Sequence, residues 1–144
     1  MKNFLFFATF MLAFFAFAPL FAAFNSSTVK GDIIVTDTET GLIWQRSYVS
    51  EKTWQQALAY CENLIYAGYS DWRLPNKNEL ASLVNYGKND PASNFPAMPS
   101  EYFWSSSTLN YNKYTNNHAW YVRFYNGTVG PDIKSSHFSV RCVR

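Results

Sequence analysis

Two cysteines constrain this chain more than any other feature. Cys61 lies in a helix-patterned segment and Cys142 lies close to the C-terminal end. The chain opens with Met1-Lys2-Asn3 and then an almost wholly apolar run from Phe4 to Ala18, ended by Pro19 and the small residues Ala22 and Ala23. That layout reads as a secretory signal peptide, with cleavage after Ala22 or Ala23. The competing reading is an uncleaved membrane anchor, since a span needs roughly 20 apolar residues; Pro19 and the small-residue end favour cleavage. In an oxidising compartment a lone cysteine pair reads first as one disulfide, ahead of metal or redox chemistry. It would close a loop of about 80 residues, worth up to about 4 kcal/mol by chain entropy.

The sequence divides into a signal peptide over 1–23, a flexible lead-in over 24–31 and a single domain over 32–144. About 120 residues remain after the leader, enough for one core. Loss of Lys2 lowers the formal charge from +2 to +1. The balance is uneven: from Lys113 onward there are five basic residues against the single acid Asp132. The C-terminal third is thus a candidate anion-facing surface, or an ordinary solvated one. Export and near-neutral charge argue against nucleic acid.

Asp32 to Thr36 is β-branched and strand-like, Asp37 to Gly41 has turn chemistry, and Leu42 to Gln45 reads as a return strand. Thr53 and Gln56 have capping-box spacing at the head of a first helix. Trp54, Ala57, Leu58, Cys61, Leu64 and Ile65 recur on one helical face, and Gly68 offers a stop. Asn76 and Glu79 repeat the capping spacing for a second helix with Leu80, Leu83 and Val84 inward. Beyond a proline-broken loop the period becomes two. Tyr102–Ser107, Ala119–Tyr125, the Asn126-Gly127 turn with its Thr128-Val129 return, and Phe138–Val143 predict antiparallel strands; Thr108 to Asn117 reads as an exposed loop. This is an α+β order, two helices packed on antiparallel strands.

Thr53 through Cys61, a second helix, and a cysteine in the last strand together resemble the C-type lectin-like fold, in which a first-helix cysteine pairs with one in the final strand. Thr36-Asp37-Thr38-Glu39-Thr40-Gly41-Leu42-Ile43-Trp44, Asp71-Trp72-Arg73-Leu74-Pro75-Asn76 with Glu79-Leu80, Phe103-Trp104-Ser105-Ser106-Ser107, and Val140-Arg141-Cys142-Val143 resemble, in order, motifs of the Lcl C-terminal-domain-like family of bacterial secreted proteins. The family takes its name from the tip of a collagen-like adhesin that trimerises and binds sulfated glycosaminoglycans, and it is distantly similar to formylglycine-generating enzymes. The resemblance implies a secreted, periplasmic or cell-surface binding domain; a homotrimer is the oligomer it leaves open, although the adhesin's trimerising stalk is missing here. This chain departs from its relatives in having no collagen-like Gly-x-y tract. It also lacks the Glu-Pro-Asn, Gln-Pro-Asp and Trp-Asn-Asp triplets of calcium-dependent lectins.

Catalytic readings are thin. His118 and His137 are the only histidines, without metal-ligand spacing. Ser105–Ser107, His118 and Asp132 compose a triad only on paper, and no nucleophile elbow supports it. Asp37, Asn89 and Asp90 fit turns better than calcium. No metal or cofactor is expected, and a formylglycine-type activity would need both thiols free. Binding fits better. Tyr121, Arg123 and Tyr125 alternate on one strand face, and Lys134 and Arg141 extend them into a basic strip for an acidic or sulfated glycan. Arg141, alternating with Cys142, is expected to face away from the disulfide. The competing structural reading has Arg73 and Arg141 satisfying buried carbonyls or a carboxylate such as Glu79, and the tryptophans filling the core. The alternative partner is a surface or envelope protein, with no sugar bound.

Overall fold

A computed structural model describes residues 23–110 and 116–144. The leader expected over 1–23 lies, but for Ala23, outside the described residues, as does the middle of the loop expected over 108–117. Among the described residues no helix is long and apolar enough to cross a membrane.

The elements run β1 (Phe24–Val29), β2 (Asp32–Asp37), β3 (Ile43–Gln45), β4 (Val49–Lys52), α1 (Trp54–Glu62), α2 (Lys77–Ala81), β5 (Tyr102–Leu109), β6 (His118–Arg123), β7 (Thr128–Ile133) and β8 (Phe138–Val140). They form a three-stranded sheet, β1-β2-β3, and a five-stranded sheet, β4-β8-β5-β6-β7. Strand pairing is antiparallel except between β5 and β8, which run parallel. The predicted mixture of two helices and antiparallel strands is present, with that one parallel pair added.

Both predicted helices start where their caps stand. The Thr53 hydroxyl accepts the Gln56 N–H at 3.4 Å and the Gln56 side chain accepts the Thr53 N–H at 3.0 Å. Asn76 and Glu79 repeat the exchange at 2.9 and 2.8 Å. Two orphan amides are satisfied at each start. The first helix ends at Glu62, earlier than Gly68, with Asn63 as its C-cap and the Asn63 side chain donating to the Ala59 carbonyl. Ile65 consequently leaves the helical face and is 78% exposed.

The lead-in expected over 24–31 is instead a strand. Phe24–Val29 pairs with Asp32–Asp37 residue for residue. Its exposed Asn25-Ser26-Ser27-Thr28 carries no apolar alternation, yet an edge strand needs only its backbone bonds and one anchored end. Phe24 supplies the anchor by packing edge-on to Phe95, 5.3 Å between centroids. The turn after β2 is held by Asp37, buried at 1% exposure, whose carboxylate accepts from the Glu39 N–H and the Thr40 hydroxyl. That is turn chemistry, as its sequence predicts.

Alternation along β5 and β6 splits the interior in two. Trp104 and Ala119 join Cys61, Trp72, Leu74 and Cys142 beneath α1. Phe103 and Val122 join Trp44, Leu80, Leu83 and Phe95 on the α2 side. The five-stranded sheet is therefore covered on both faces. The Cys61–Cys142 disulfide is formed, with a Cα–Cα distance of 5.5 Å. After β8 the chain continues beside β3, where the Gln45 N–H donates to the Cys142 carbonyl and Ile43 and Arg144 exchange both backbone bonds. At the other end of the chain, the Ala23 carbonyl accepts from Thr38. Both ends of the described domain thus flank the Asp37–Leu42 turn.

Candidate functional site

The structure does not assemble the predicted basic strip. Arg141 is fully buried. One guanidinium nitrogen donates to the carbonyls of Gln45 (3.1 Å) and Arg46, and the group lies against the rings of Phe95 (4.3 Å), Phe103 (5.7 Å) and Tyr48 (5.8 Å). It does face away from Cys142, but that side of the strand is covered too, so alternation carries it into the second core. Arg73 also follows the structural reading, pairing with Glu79 through two 2.8 Å bonds.

The other predicted residues separate along one hairpin. Tyr121 is half-buried, packed on Tyr102 and Phe138 with centroids 5.1 and 5.4 Å away. Its ring lies across Gly130, where an added Cβ would come within 2.9 Å of the hydroxyl. Arg123 sits 5.2 Å from the Tyr102 ring and 4.9 Å from Tyr125, and Tyr125 is 43% exposed. Lys134 follows the far end of β7. Arg123 pairs with Thr128, and Lys134 lies one residue beyond the His118–Ile133 pair, so six residue steps separate the two basic residues. At about 3.4 Å per residue that is roughly 20 Å.

A different kind of contact recurs at Lys134 and at Lys77. The Lys134 ammonium stands 4.6 Å over the Trp54 ring and donates to the Asn116 carbonyl at 3.0 Å. The Lys77 ammonium stands 4.5 Å over Trp120. All four side chains are half-buried. Both pairs are fastened to the Ser105–Ser107 segment, where the β5–β6 register shifts. The Trp54 indole N–H donates to the Ser105 carbonyl at 2.8 Å, the Ser105 hydroxyl to the Trp120 carbonyl at 2.8 Å, and the Lys77 N–H to the Ser107 hydroxyl at 3.0 Å. A bulge of this kind re-aims neighbouring side chains. Each pair holds an ammonium against an aromatic ring, which fixes the cation in place as a partner for an anionic substituent. Sequence reasoning placed Trp54 and Trp120 in the core. The signal that could have found them is position: Trp54 directly follows an N-cap and Lys77 another, so both stand at the rims of their helices.

The paper triad does not come together. The Ser105 hydroxyl is committed to a backbone carbonyl, and Asp132 accepts from its own loop through the Ile133 N–H and the Ser136 hydroxyl. Both cysteines are in the disulfide, so no thiol pair remains for formylglycine-type chemistry. No cluster of three or more metal-ligating side chains occurs among the described residues.

Two ion pairs fix the segment between the helices. Besides Arg73–Glu79, Arg144 bonds Asp71 at 2.7 and 3.0 Å and lies 3.8 Å over the Tyr69 ring. The Arg73 guanidinium beside Glu79 holds its carboxyl below the usual carboxylate range against the opposing pull of burial, and the Asn76 amide adds to the effect. The motif serines, the Asp71–Asn76 segment and the Val140–Val143 segment are thus joints of the fold.

No curated protein matches the chain. A family model described as the Lcl C-terminal domain matches residues 33–144. This is not a known enzyme family, and it suggests an extracellular or surface location. On that match, which covers more than three-quarters of the chain, the chain belongs to the Lcl C-terminal domain family.

Proposed function

We propose that this domain is an exported, non-catalytic binding module of C-type-lectin-like fold that recognises acidic or sulfated glycans at a cell surface. The observation that carries the reading is the pair of tryptophan–lysine contacts, Trp54 with Lys134 and Trp120 with Lys77, at the Ser105–Ser107 bulge. The family resemblance supports it, because the adhesin tip that names the family binds sulfated glycosaminoglycans. The leader and the disulfide fit export. Relative to the sequence expectation, Lys134 stays in the site, Arg123 with Tyr121 and Tyr125 falls outside it, and Arg141 becomes scaffold.

The test is heparin affinity of the processed protein. It is expected to be retained at low ionic strength and released by salt, since contacts of exposed charges are screened over a Debye length of about 8 Å at physiological salt. Lys77→Ala with Lys134→Ala is expected to shift elution to lower salt while the melting temperature holds. Passage through heparin without retention at low ionic strength overturns the reading.

A further inference from the structure

A second site lies at the start of β5. A cavity of about 380 Å³ opens there between β4, β5 and β8. Two carboxylates, Glu51 and Glu101, line it with the hydroxyls of Ser50, Ser100 and Ser139, and no lysine or arginine does. Its apolar surface is Tyr102 stacked on Phe138, 5.1 Å between centroids at 21°. The His137 imidazole stands at the exposed rim.

The carboxylates are held in place from separate elements. Glu101 accepts from the Ser139 hydroxyl, while its backbone carbonyl accepts the Phe124 N–H at 2.8 Å. The Ser100 hydroxyl donates to Asp90, which brings a third carboxylate behind the wall. Glu51 takes a left-handed φ of +55° where the β4–β8 register shifts.

The chemistry of the wall selects its ligand. Carboxylates repel sulfate and uronate groups, so this cavity is no extension of the glycan site. The Arg123 guanidinium lies 5.2 Å from the Tyr102 ring but does not line the cavity. The chain as a whole is cationic, at formal +2, so a cation finds no general attraction to it. An acidic recess with an apolar wall suits a side chain that has an aliphatic stem and a charged head.

We propose that the cavity receives a lysine or arginine side chain of a protein partner, with its head between Glu51 and Glu101 and its stem along Tyr102 and Phe138. The proposal does not depend on the glycan reading, and a heparin result in either direction leaves it standing. It gives the interaction-module alternative a definite address.

The probe is tri-lysine, titrated into the disulfide-intact protein at neutral pH and followed by backbone amide shifts. Saturable shifts confined to Glu51, Glu101, His137 and Phe138 are expected. Lysines acetylated at Nζ should give none at the same concentrations. Glu51→Gln, at an exposed position, should weaken binding about tenfold with the rest of the spectrum unchanged, and Glu101→Gln should act in the same direction. Equal binding of the acetylated peptide, unchanged affinity in both variants, or shifts centred on Trp54 and Trp120 would overturn the proposal. Binding of glucosamine oligomers in the cavity without binding of tri-lysine would overturn it as well, by replacing the protein side chain with an amino sugar.

Discussion

Arg141 holds a full charge inside an aromatic shell, with two of its guanidinium nitrogens, Nε and Nη2, lacking a partner among the described residues. Burial pushes its pKa down to about 9, well below the ordinary arginine value. The folded value is the lower one, so from about 9 up to the ordinary arginine value the unfolded chain binds the proton more tightly and stability rises with pH. Below that window the group is charged in both states and its contribution is constant. At neutral pH the cost of burial is offset by the carbonyls of Gln45 and Arg46 and by the rings. Arg141→Ala removes these contacts and leaves a hole; we expect a loss of about 3 kcal/mol in denaturant unfolding. Arg141→Met keeps the volume without the charge and should cost less, about 1 kcal/mol or nothing. A ligand-contacting arginine would behave in the opposite way, with alanine lowering heparin retention and sparing stability. Gly127 is a second residue whose identity is fixed by its surroundings. It sits at φ +79°, and an added Cβ would come within 2.6 Å of Val84 Cγ1.

At the scale of elements, α2 has only five residues, and such a segment is not stable alone. Glu79 compensates by capping the Asn76 N–H and holding Arg73 at once. Its carboxyl titrates below its ordinary value of 4.5, mainly through Arg73. The stabilisation is therefore present above that value and is lost as pH falls through the lower, folded one. Glu79→Gln should be less stable than the parent at neutral pH, and the difference should shrink in acid, as read from melting temperatures across pH. Elements of this kind were legible in the sequence because their determinants are local. Both capping boxes, the Asp37–Gly41 turn and the hairpin at Asn126-Gly127 are each set by residues close together in the chain. β1 was not legible, since Asn25 to Thr28 has no alternation and the strand exists through its pairing with β2. The basic strip failed for the same kind of reason. Alternation put Arg141 opposite Cys142 correctly, but only the tertiary structure reveals that Phe95 and Tyr48 cover that side. Likewise nothing in the local pattern placed Lys77 over Trp120, two residues far apart in the chain.

For the whole molecule, the disulfide ties α1, and the first core with it, to the segment that links both sheets. It closes 81 residues, a loop that chain entropy values at about 4 kcal/mol. Paired replacement Cys61→Ala with Cys142→Ala should lower the melting temperature by roughly 15 °C in a domain of this size, measured calorimetrically. A shift of only a degree or two would mean that the two cores hold the fold without it. The same bond determines how the molecule would carry load. Because Ala23 and Arg144 flank one turn, a pull between them acts at a single end of the three-stranded sheet, where hydrogen bonds break in succession. β1 is free to peel away along its whole length. The other end can yield no further than Cys142, two residues in, before the strain reaches a covalent link to α1. A tether drawn from the N-terminal side would thus extend by surrendering one edge strand before any load reaches α1 through the disulfide.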